Sequence, residues 1–494
     1  MLDNVLLNQK KYSDKDIFNN LQAQLEKILN EKINLGKKEI IHFIGIGGIG
    51  MSGLAQIMKN MGFSVQGSDQ NKNKNIINCA KLGIKTYIGH SSNNVKKASI
   101  IVKSSAIKNK NIEIKYAKKN KLPIYSRAEV LADVVSLKKN IIITGSHGKT
   151  TTTSLVAKML TDQKLDPTII NGGVINSFNS NAKLGKGDWA ILEADESDGS
   201  FLKLPINYSI VTNIDNEHLD YYKNYKNLEK SFLEFINKTP PTGKSIICID
   251  NKNIKKILKK IKNKNILTYG ENIEANYQIK KIKYNFDNTS FSLRFKDKNK
   301  KIKNIANINV KLLGKHNVLN ATAALIVCIN LGADIQTIKK SLKNFSGVER
   351  RMTKVFSKNK NDFYDDYAHH PTEISSILEG VRNVNSERKI ISIFEPHRYS
   401  RVLSLKNEFS KCFSKSNLVI MCPLYAAGEK KNFKFDIIRF SNLIARRSNT
   451  QVIIVRNQIE LCRYLKKNLI NNEIIIGMGA GLISKWIRGL KHSL

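Results

Sequence analysis

Short apolar runs rich in isoleucine and valine alternate with amphipathic segments along most of the chain. This alternation predicts parallel β-strands that are covered by helices, because such strands are buried on both faces. The pattern is carried near the start by EIIHFIGIG, SVQGSD, ASIIVKSSAI and LPIYSRAEVL, and near the end by KIISIFEP, NLVIMCPL, QVIIVRN and EIIIGMGAG. We therefore expect an α/β fold built from doubly wound sheets.

The spacing of these runs divides the chain into a terminal arm and three domains. Residues 1–37 are polar, and the segment IFNNLQAQLEKILNEKI within them has the periodicity of a helix. The three alternating units comprise residues 38–136, 137–347 and 348–494, which is a suitable number of domains for a chain of 494 residues. A basic stretch between 275 and 312 has the alternation that is typical of antiparallel strands.

The formal net charge of +41 raises the question of a nucleic-acid partner. The lysines, however, are spread among Asn and Ile, as in KDKNKKIKNIANINVKLLG, and do not cluster with aromatic residues in a reader motif. All three residue types have A/T-rich codons, so genome composition explains the excess. We expect no specific nucleic-acid binding, although non-specific adhesion at low salt follows from the charge.

The cysteine pattern and the hydropathy predict a cytoplasmic protein. The six cysteines are scattered without a C-x-x-C pair, which indicates reduced thiols rather than disulfides or a zinc ribbon. No stretch approaches the roughly 18 continuous apolar residues of a membrane span, and the first residues lack the apolar core of a signal peptide. We therefore expect no membrane insertion.

The stretch NIIITGSHGKTTTT resembles a phosphate-binding loop between a strand and a helix. Gly145, Gly148, Lys149 and Thr150 match G-x-x-x-x-G-K-[ST], although Ile143 replaces the first glycine. In such a loop the lysine contacts a nucleotide phosphate and the threonine hydroxyl contacts magnesium. The alternative is a glycine-rich turn with a solvated lysine, but the required order of strand, glycines, Lys-Thr and helix favours the phosphate site.

A second glycine signature lies in the first domain. Gly45, Gly47 and Gly50 fit G-x-G-x-x-G, and Asp69 follows at the usual distance for an acidic residue. The glycines would bring backbone N–H groups close to a diphosphate at a helix N-terminus. The motif leaves NAD, FAD and nucleotide-sugar ligands open, and a tight turn between strand and helix is the structural alternative.

The middle domain adds polar residues after two further strands. Glu193 in WAILEADESD and His218 in TNIDNEHLDYY are suitable ligands for a divalent metal beside the phosphate loop. Asn320 in GKHNVLNATAA is placed to contact an adenine edge. Each of these residues could instead cap a helix or satisfy a polar group in the core.

Eight motifs in order resemble the Mur ligase family over roughly residues 38–482: HFIGIGGIGMSGLA, TGSHGKTTTT, EADESD, TNIDNEHLD, GKHNVLNATAA, GVERRM, DDYAHHPTEI and EPHRYSR. The resemblance implies an N-terminal Rossmann-like domain that binds a UDP-sugar, a central ATPase domain and a C-terminal Rossmann-like domain that receives an amino acid. It also implies a reaction in which the carboxylate of UDP-N-acetylmuramate is phosphorylated by ATP, with Mg²⁺, and the acyl phosphate is then attacked by the amine of L-alanine.

The resemblance also implies residue roles. Lys149, Glu193, His218, Arg350 and Arg351 are the implied catalytic residues, and Thr150, Glu193 and His218 are the implied metal ligands. ATP is expected to contact Gly145, Ser146, His147, Gly148, Lys149, Thr150, Thr151, Asn320, Arg350 and Asp366. The substrates are expected to contact Gly47, Gly48, Ile49, Gly50, Asp69, Ser104, Ser105, Arg127, Tyr367, His369, Arg398 and Arg401.

Three other functions compete with this one. A ligase of the same family that recycles a murein tripeptide differs only in its amine substrate. An NAD-dependent oxidoreductase would use the first glycine signature but leave GSHGKTTTT without a role. A nucleic-acid-dependent ATPase would use the phosphate loop and leave EPHRYSR without one. The protein is expected to be a monomer or a homodimer.

Overall fold

The structure is a computed structural model that describes residues 39–494, so the helix expected in the N-terminal arm lies outside the described residues. The chain separates into two compact units. One extends to Val134 and includes Ala182–Leu184, and the other comprises Val135–Asn181 and Gly185–Leu494. One sheet lies in the first unit and two in the second, which confirms the expected α/β class.

The first unit contains a five-stranded parallel sheet in the order β3-β2-β1-β4-β5. Its central strand β1 buries Ile41, Phe43 and Ile44, as the apolar run in the sequence predicts. The strands are β1 (Ile40–Ile44), β2 (Ser64–Asp69), β3 (Lys85–Ile88), β4 (Ile100–Lys103) and β5 (Ile124–Ser126). The helices are α1 (Ile49–Asn60), α2 (Lys74–Lys81), α3 (Ser92–Val95), α4 (Ile112–Lys119) and α5 (Arg127–Val135).

The second unit begins with a ten-stranded sheet in the order β15-β14-β13-β12-β11-β10-β6-β9-β7-β8. Its strands are β6 (Lys139–Thr144), β7 (Thr168–Ile175), β8 (Ser180–Lys183), β9 (Trp189–Glu193), β10 (Tyr208–Val211), β11 (Lys244–Cys248), β12 (Ile266–Gly270), β13 (Tyr277–Tyr284), β14 (Thr289–Lys296) and β15 (Ile302–Val310). Strands β13, β14 and β15 are antiparallel, which confirms the prediction for the basic stretch.

Helices cover this sheet, and its centre positions the phosphate loop. The helices are α6 (Lys149–Asp162), α7 (Leu219–Tyr222), α8 (Tyr225–Asn237), α9 (Lys252–Ile257), α10 (Lys315–Asn330) and α11 (Ile335–Lys343), with 3₁₀ turns at Ser200–Lys203 and Leu258–Lys260. Strand β6 pairs in parallel with both β9 and β10. The loops that follow these three strands therefore meet at one edge of the sheet, where ligands of open α/β sheets bind.

A six-stranded sheet completes the second unit, in the order β16-β17-β21-β18-β19-β20. Its strands are β16 (Thr353–Lys358), β17 (Asn361–Asp366), β18 (Ile390–Phe394), β19 (Leu418–Met421), β20 (Gln451–Ile454) and β21 (Ile474–Met478). Its helices are α12 (Pro371–Val384), α13 (Tyr399–Ser404), α14 (Lys406–Phe409), α15 (Ile437–Ser448), α16 (Gln458–Asn468) and α17 (Ile483–Ser493). The four parallel strands expected from the sequence are present as β18–β21.

The hairpin β16–β17 was not expected, because its sequence TKVFSKNKNDFYDD is too polar to read as an inner strand. The structure shows how these polar residues are tolerated. Asp362 pairs with Arg388 (2.8 Å), and Asp365 accepts from Ser484 Oγ (2.6 Å). Buried acids with partners do not carry the full desolvation cost, so β17 lies inside the sheet beside β21.

The cysteines agree with the expectation of reduced thiols. All six cysteines are free, and five of them are buried. Within residues 39–494, no helix combines the length and the apolar character that crossing a bilayer requires.

Candidate active site

The phosphate loop connects β6 to α6 and depends on two glycines with positive φ. A Cβ atom at Gly145 (φ 129°) would lie 2.1 Å from Thr212 Oγ1, and one at Gly148 (φ 83°) would lie 2.4 Å from Asn320 Oδ1. Asn213, which follows β10, also holds the loop in place, because the backbone N–H of His147 donates to Asn213 Oδ1 at 2.8 Å. The two glycines therefore let the loop backbone lie closer to Thr212 and Asn320 than a residue with a Cβ atom would allow.

Lys149 is the first residue of α6, and its ammonium group folds back over the loop. Nζ donates to the carbonyl oxygen of Gly145 (2.7 Å), to that of Ser146 (3.3 Å) and to Glu196 Oε1 (3.0 Å). Burial lowers the pKa of Lys149, but the carboxylates of Glu196 and Asp195 outweigh this effect and hold the pKa above its ordinary value. The lysine is therefore a fixed positive charge at the loop.

The structure brings two of the three expected metal ligands directly together. Thr150 Oγ1 donates to Glu193 Oε1 at 3.0 Å, and the backbone N–H of Gly172 donates to Glu193 Oε2 at 2.6 Å. Burial raises the pKa of Glu193, so its carboxylate would be stabilised by a cation. Carboxylate and hydroxyl oxygens are the donors that Mg²⁺ prefers, and this pair fits such an ion.

The third expected ligand, His218, lies beside acidic residues that the sequence analysis did not select. Its Nε2 is 3.6 Å from Glu196 Oε1, and ligand atoms of Asp195, Glu196 and His218 lie within 4.8 Å of one another. His218 itself has a positive φ of 57°, which is strained for a non-glycine residue. The only signal for Glu196 was its place in EADESD, and full burial is what distinguishes it from a surface acid.

A charged cluster joins the phosphate loop to the N-terminus of α12. His147 Nε2 lies 3.0 Å from Asp215 Oδ2, and Nδ1 lies 3.6 Å from Glu373 Oε1. Asp215 also accepts from Thr372 Oγ1 at 2.7 Å. Burial lowers the pKa of His147, but hydrogen bonds to Asp215 and Glu373 raise it to about 10. His147 was expected from the sequence, whereas its acidic partners were not.

A cavity of about 780 Å³ opens between this loop, helix α10 and the loops of the six-stranded sheet. Its wall includes His147, Gly148, Thr151, Asn317, Asn320, Arg351, Asp366 and Thr372. The volume is in the range of small-molecule and cofactor sites. Five of the ten residues expected to contact ATP therefore line one space, namely His147, Gly148, Thr151, Asn320 and Asp366. The lining does not include the other five, which are Gly145, Ser146, Lys149, Thr150 and Arg350.

The two arginines of GVERRM take different positions. Arg351 lines the cavity, whereas Arg350 donates to the carbonyl oxygen of Gly479 (2.6 Å) and lies over the ring of Tyr367 (4.7 Å). Arg351 also lies over the Tyr367 ring, at 5.5 Å, so the two guanidinium groups share this ring but differ in their other contacts. The structure thus favours Arg351 for phosphate contact, and the role of Arg350 at ATP remains a prediction.

Asp366 lies at the end of β17 with both carboxylate oxygens occupied. Oδ2 accepts from the backbone N–H of Met352 and Oδ1 accepts from that of Ala368, each at 2.7 Å. Burial raises the pKa of Asp366 to about 6. These two bonds fix the carboxylate on the cavity wall, where it could accept further hydrogen bonds from hydroxyl groups.

A second cluster follows β18 and contains the arginines of EPHRYSR. Arg401 contacts His397 Nδ1 through Nη1 (3.0 Å) and Glu217 Oε1 through Nη2 (3.4 Å). Arg398 has a positive φ of 66°, and its buried Nε has no hydrogen-bond partner among the described residues. An unpartnered guanidinium N–H in a buried position is suited to an incoming carboxylate.

The first unit contains its own glycine site at the β1–α1 turn. The backbone N–H of Gly47 donates to Asp69 Oδ2 at 2.9 Å, and a Cβ atom there would lie 2.6 Å from Asn73 Nδ2. A Cβ atom at Gly50 would lie 2.5 Å from Arg127 Nη1. Of the remaining residues expected here, Gly48 is the N-cap of α1 and Ile49 is its first residue. Ser104 Cβ lies 3.2 Å from the Cβ position of Gly45, and Ser105 is exposed.

Family comparisons cover nearly the whole described chain. Residues 40–139 match the Mur ligase family catalytic domain, 143–328 match the Mur ligase middle domain, and 350–481 match the Mur ligase glutamate ligase domain. These spans contain the motifs described above, except that GVERRM begins three residues before the last span.

Curated relatives and solved structures agree with the family comparison. A UDP-N-acetylmuramate–L-alanine ligase of Pelagibacter ubique is 53% identical over 459 residues, which are 93% of this chain and 99% of that protein. The corresponding ligase of Methylorubrum extorquens is 41% identical over 92% of this chain and 97% of its own. The structure of the Thermotoga maritima ligase matches with a TM-score of 0.78 at 27% identity, covering 92% of this chain and 98% of that one. A murein peptide ligase of Psychrobacter arcticus shares the fold, with a TM-score of 0.68 at 21% identity over 92% and 98%.

Proposed function

Because this chain belongs to the Mur ligase family, we propose that it joins L-alanine to the lactyl carboxylate of UDP-N-acetylmuramate at the expense of ATP. The products are UDP-N-acetylmuramoyl-L-alanine, ADP and phosphate, for peptidoglycan precursor synthesis. The observation that carries the proposal is the cavity lined by the phosphate loop, Arg351 and Asp366. Arg401 of EPHRYSR contacts Glu217 in the loop that follows β10, two residues from Asp215 on the cavity wall. An enzyme that activates a carboxylate and then joins it to an amine needs the nucleotide site and the amine site close together.

ATP occupies the 780 Å³ cavity in this proposal. Lys149 and Arg351 neutralise the phosphates, because phosphoryl transfer depends mainly on positioning and charge stabilisation. Asn320 contacts the adenine edge and Asp366 accepts from the ribose hydroxyls. The carboxylate of Asp366 suits this role because two backbone N–H groups already hold its orientation.

Thr150, Glu193 and His218 would hold Mg²⁺ in this proposal. When bound, the ion neutralises phosphate charge and polarises the transferred phosphoryl group. The Thr150–Glu193 contact and the burial of Glu193 support this assignment. His218 lies beside Glu196, which also contacts Lys149 at the phosphate loop.

The UDP-sugar is proposed to bind the glycine turn of the first unit. We expect Gly47→Val to weaken UDP-N-acetylmuramate binding at least ~10-fold, because its side chain would displace the Asn73 and Asp69 side chains that border the turn. Isothermal titration with UDP-N-acetylmuramate and with NAD measures the effect, and circular dichroism checks that the variant is folded. Tight NAD binding without UDP-sugar binding by the wild type would instead support the oxidoreductase.

We also propose that the protein works in the cytoplasm, where ATP and UDP-linked precursors are available, as a monomer or a homodimer without a specific nucleic-acid partner. The scattered lysines support the last point, since the charge lies on many solvated side chains rather than on one reader motif.

The amine substrate is tested by a panel of nucleophiles. With ATP, Mg²⁺ and UDP-N-acetylmuramate present, phosphate release is expected to be fastest with L-alanine, slower with glycine and L-serine, and near background with L-alanyl-γ-D-glutamyl-meso-diaminopimelate. Mass spectrometry of the product confirms the new amide. A strong preference for the tripeptide would replace alanine addition by the recycling reaction, and nucleic-acid-stimulated ATP hydrolysis without an amide would favour the ATPase.

A further inference from the structure

The amine of L-alanine carries a proton that must leave before or during attack. At neutral pH the α-amino group is an ammonium ion without a lone pair, so a positioned acceptor speeds the reaction. Resting on the function proposed above, we propose that Nε2 of His369 is this acceptor, and that His369 is the general base of the amide-forming step.

The tautomer of His369 is fixed by its surroundings. Nδ1 lies 3.0 Å from the carbonyl oxygen of Tyr367, which can only accept a hydrogen bond. Nδ1 therefore carries the hydrogen, and Nε2 carries the lone pair. Among the described residues, no group donates a hydrogen bond to Nε2, and the side chain keeps 17% of its surface exposed. The lone pair is available to a ligand.

The charges that face His369 keep it neutral. Burial, with Arg401 adding to the effect, lowers the pKa of His369 to about 4, although Glu373 and Glu217 act in the opposite direction. Glu373 Oε2 lies 3.5 Å from Nδ1. The imidazole is therefore unprotonated at pH 7 and Nε2 keeps its lone pair, but its burial and the charge of Arg401 leave it a weak base. A substrate carboxylate bound by the neighbouring arginines would offset the charge of Arg401 and make the imidazole a stronger base.

A second histidine beside it has the opposite tautomer. The rings of His369 and His397 are 5.5 Å apart, at an angle of 70°. His397 Nδ1 accepts from Arg401 Nη1 at 3.0 Å, so its lone pair is already used and its hydrogen is on Nε2. His397 also stacks on Tyr425, with ring centroids 5.7 Å apart. His397 therefore orients Arg401, and His369 is the histidine whose lone pair can accept the proton.

The proton balance of the step is as follows. One N–H bond of the ammonium breaks, its proton moves to His369 Nε2, and the freed lone pair forms the C–N bond to the acyl carbon. The bond between that carbon and the bridging oxygen then breaks, and phosphate leaves with the electron pair. The second amine proton goes to the departing phosphate, and the imidazolium returns its proton to water.

Two nucleophiles separate base catalysis from structural damage. Hydroxylamine is mainly unprotonated at pH 7 and converts an acyl phosphate to a hydroxamate without a base. We expect His369→Gln to lower kcat with L-alanine at least ~100-fold, the scale of general-base catalysis. The KM for L-alanine and the rate of hydroxamate formation should stay within about threefold of wild type, and kcat with L-alanine should rise with pH as free amine accumulates. Normal hydroxamate formation also shows that the variant is folded.

His397→Gln is the matched control, because it removes a neighbouring imidazole whose lone pair is engaged. It should raise the KM for L-alanine more than it lowers kcat. The proposal is overturned if His369→Gln retains kcat with L-alanine, or if it slows alanine and hydroxylamine equally. Wild-type enzyme that forms no hydroxamate with ATP and UDP-N-acetylmuramate would contradict the proposed function itself.

Discussion

Replacing Lys149 with alanine should lower phosphate release at least ~100-fold, the scale of a lost electrostatic stabiliser in an active site. The ammonium group lies over the phosphate loop, and the carboxylates of Glu196 and Asp195 keep it charged despite its burial. Removing it takes away positive charge where negative charge develops during phosphoryl transfer. Steady-state phosphate release with saturating UDP-N-acetylmuramate and L-alanine measures the loss.

Lys158→Ala is the matched control for this variant, because Lys158 lies on the same helix but pairs with Asp162 (2.6 Å) rather than with the loop. It should keep near-normal turnover. Since Lys149→Ala leaves the buried Glu196 without its cation, the double variant Lys149→Ala/Glu196→Gln checks that the loss is not due to unfolding. A folded Lys149→Ala protein with near-normal phosphate release would remove the phosphate loop from the mechanism.

Arg398→Ala should raise the KM for L-alanine by about 10- to 100-fold, the range expected for loss of a charged hydrogen bond. The buried Nε of Arg398 has no partner among the described residues, whereas Arg401 is already held by His397 and Glu217. Arg398 therefore has the greater capacity to receive a carboxylate. Acyl phosphate formation, followed by hydroxylamine trapping without alanine, should remain largely intact.

Arg439→Ala provides the control for a charge change in the same sheet region, because that side chain is 86% exposed and pairs only weakly with Asp436 (3.5 Å). It should leave both the KM for L-alanine and acyl phosphate formation unchanged. If Arg398→Ala abolishes hydroxamate formation while alanine affinity stays normal, Arg398 acts on the ATP phosphates and not on the amino acid.

Local patterns were sufficient to predict the phosphate loop and most strands. The run before Gly145 and the periodicity after Lys149 specify a strand, a turn and a helix within a few residues of one another, so neighbouring residues decide the structure. The same holds for β18, β19 and β21, whose residues are all buried. The hairpin β16–β17 was missed because its polar residues find partners, such as Arg388 and Ser484, that are distant in sequence.

The functional residues that were missed depend on long-range contacts in the same way. Glu196 looked like one acid among several in EADESD, and only burial beside Lys149 gives it a role. Asp215 and Glu373 become partners of His147 because the loop after β10 and the first turn of α12 meet at the phosphate loop. The adjacent Arg350 and Arg351 could not be told apart from sequence, since only their long-range contacts differ: Arg351 lines the cavity, whereas Arg350 donates to the carbonyl oxygen of Gly479.

The most direct test of the central claim follows an oxygen atom through the reaction. UDP-N-acetylmuramate labelled with ¹⁸O in the lactyl carboxylate is incubated with the enzyme, ATP, Mg²⁺ and L-alanine, and the released phosphate is examined by mass spectrometry or ³¹P NMR. If the carboxylate is activated as an acyl phosphate, each molecule of amide product should be accompanied by a phosphate that carries one carboxylate oxygen. Amide formation with unlabelled phosphate would contradict the account.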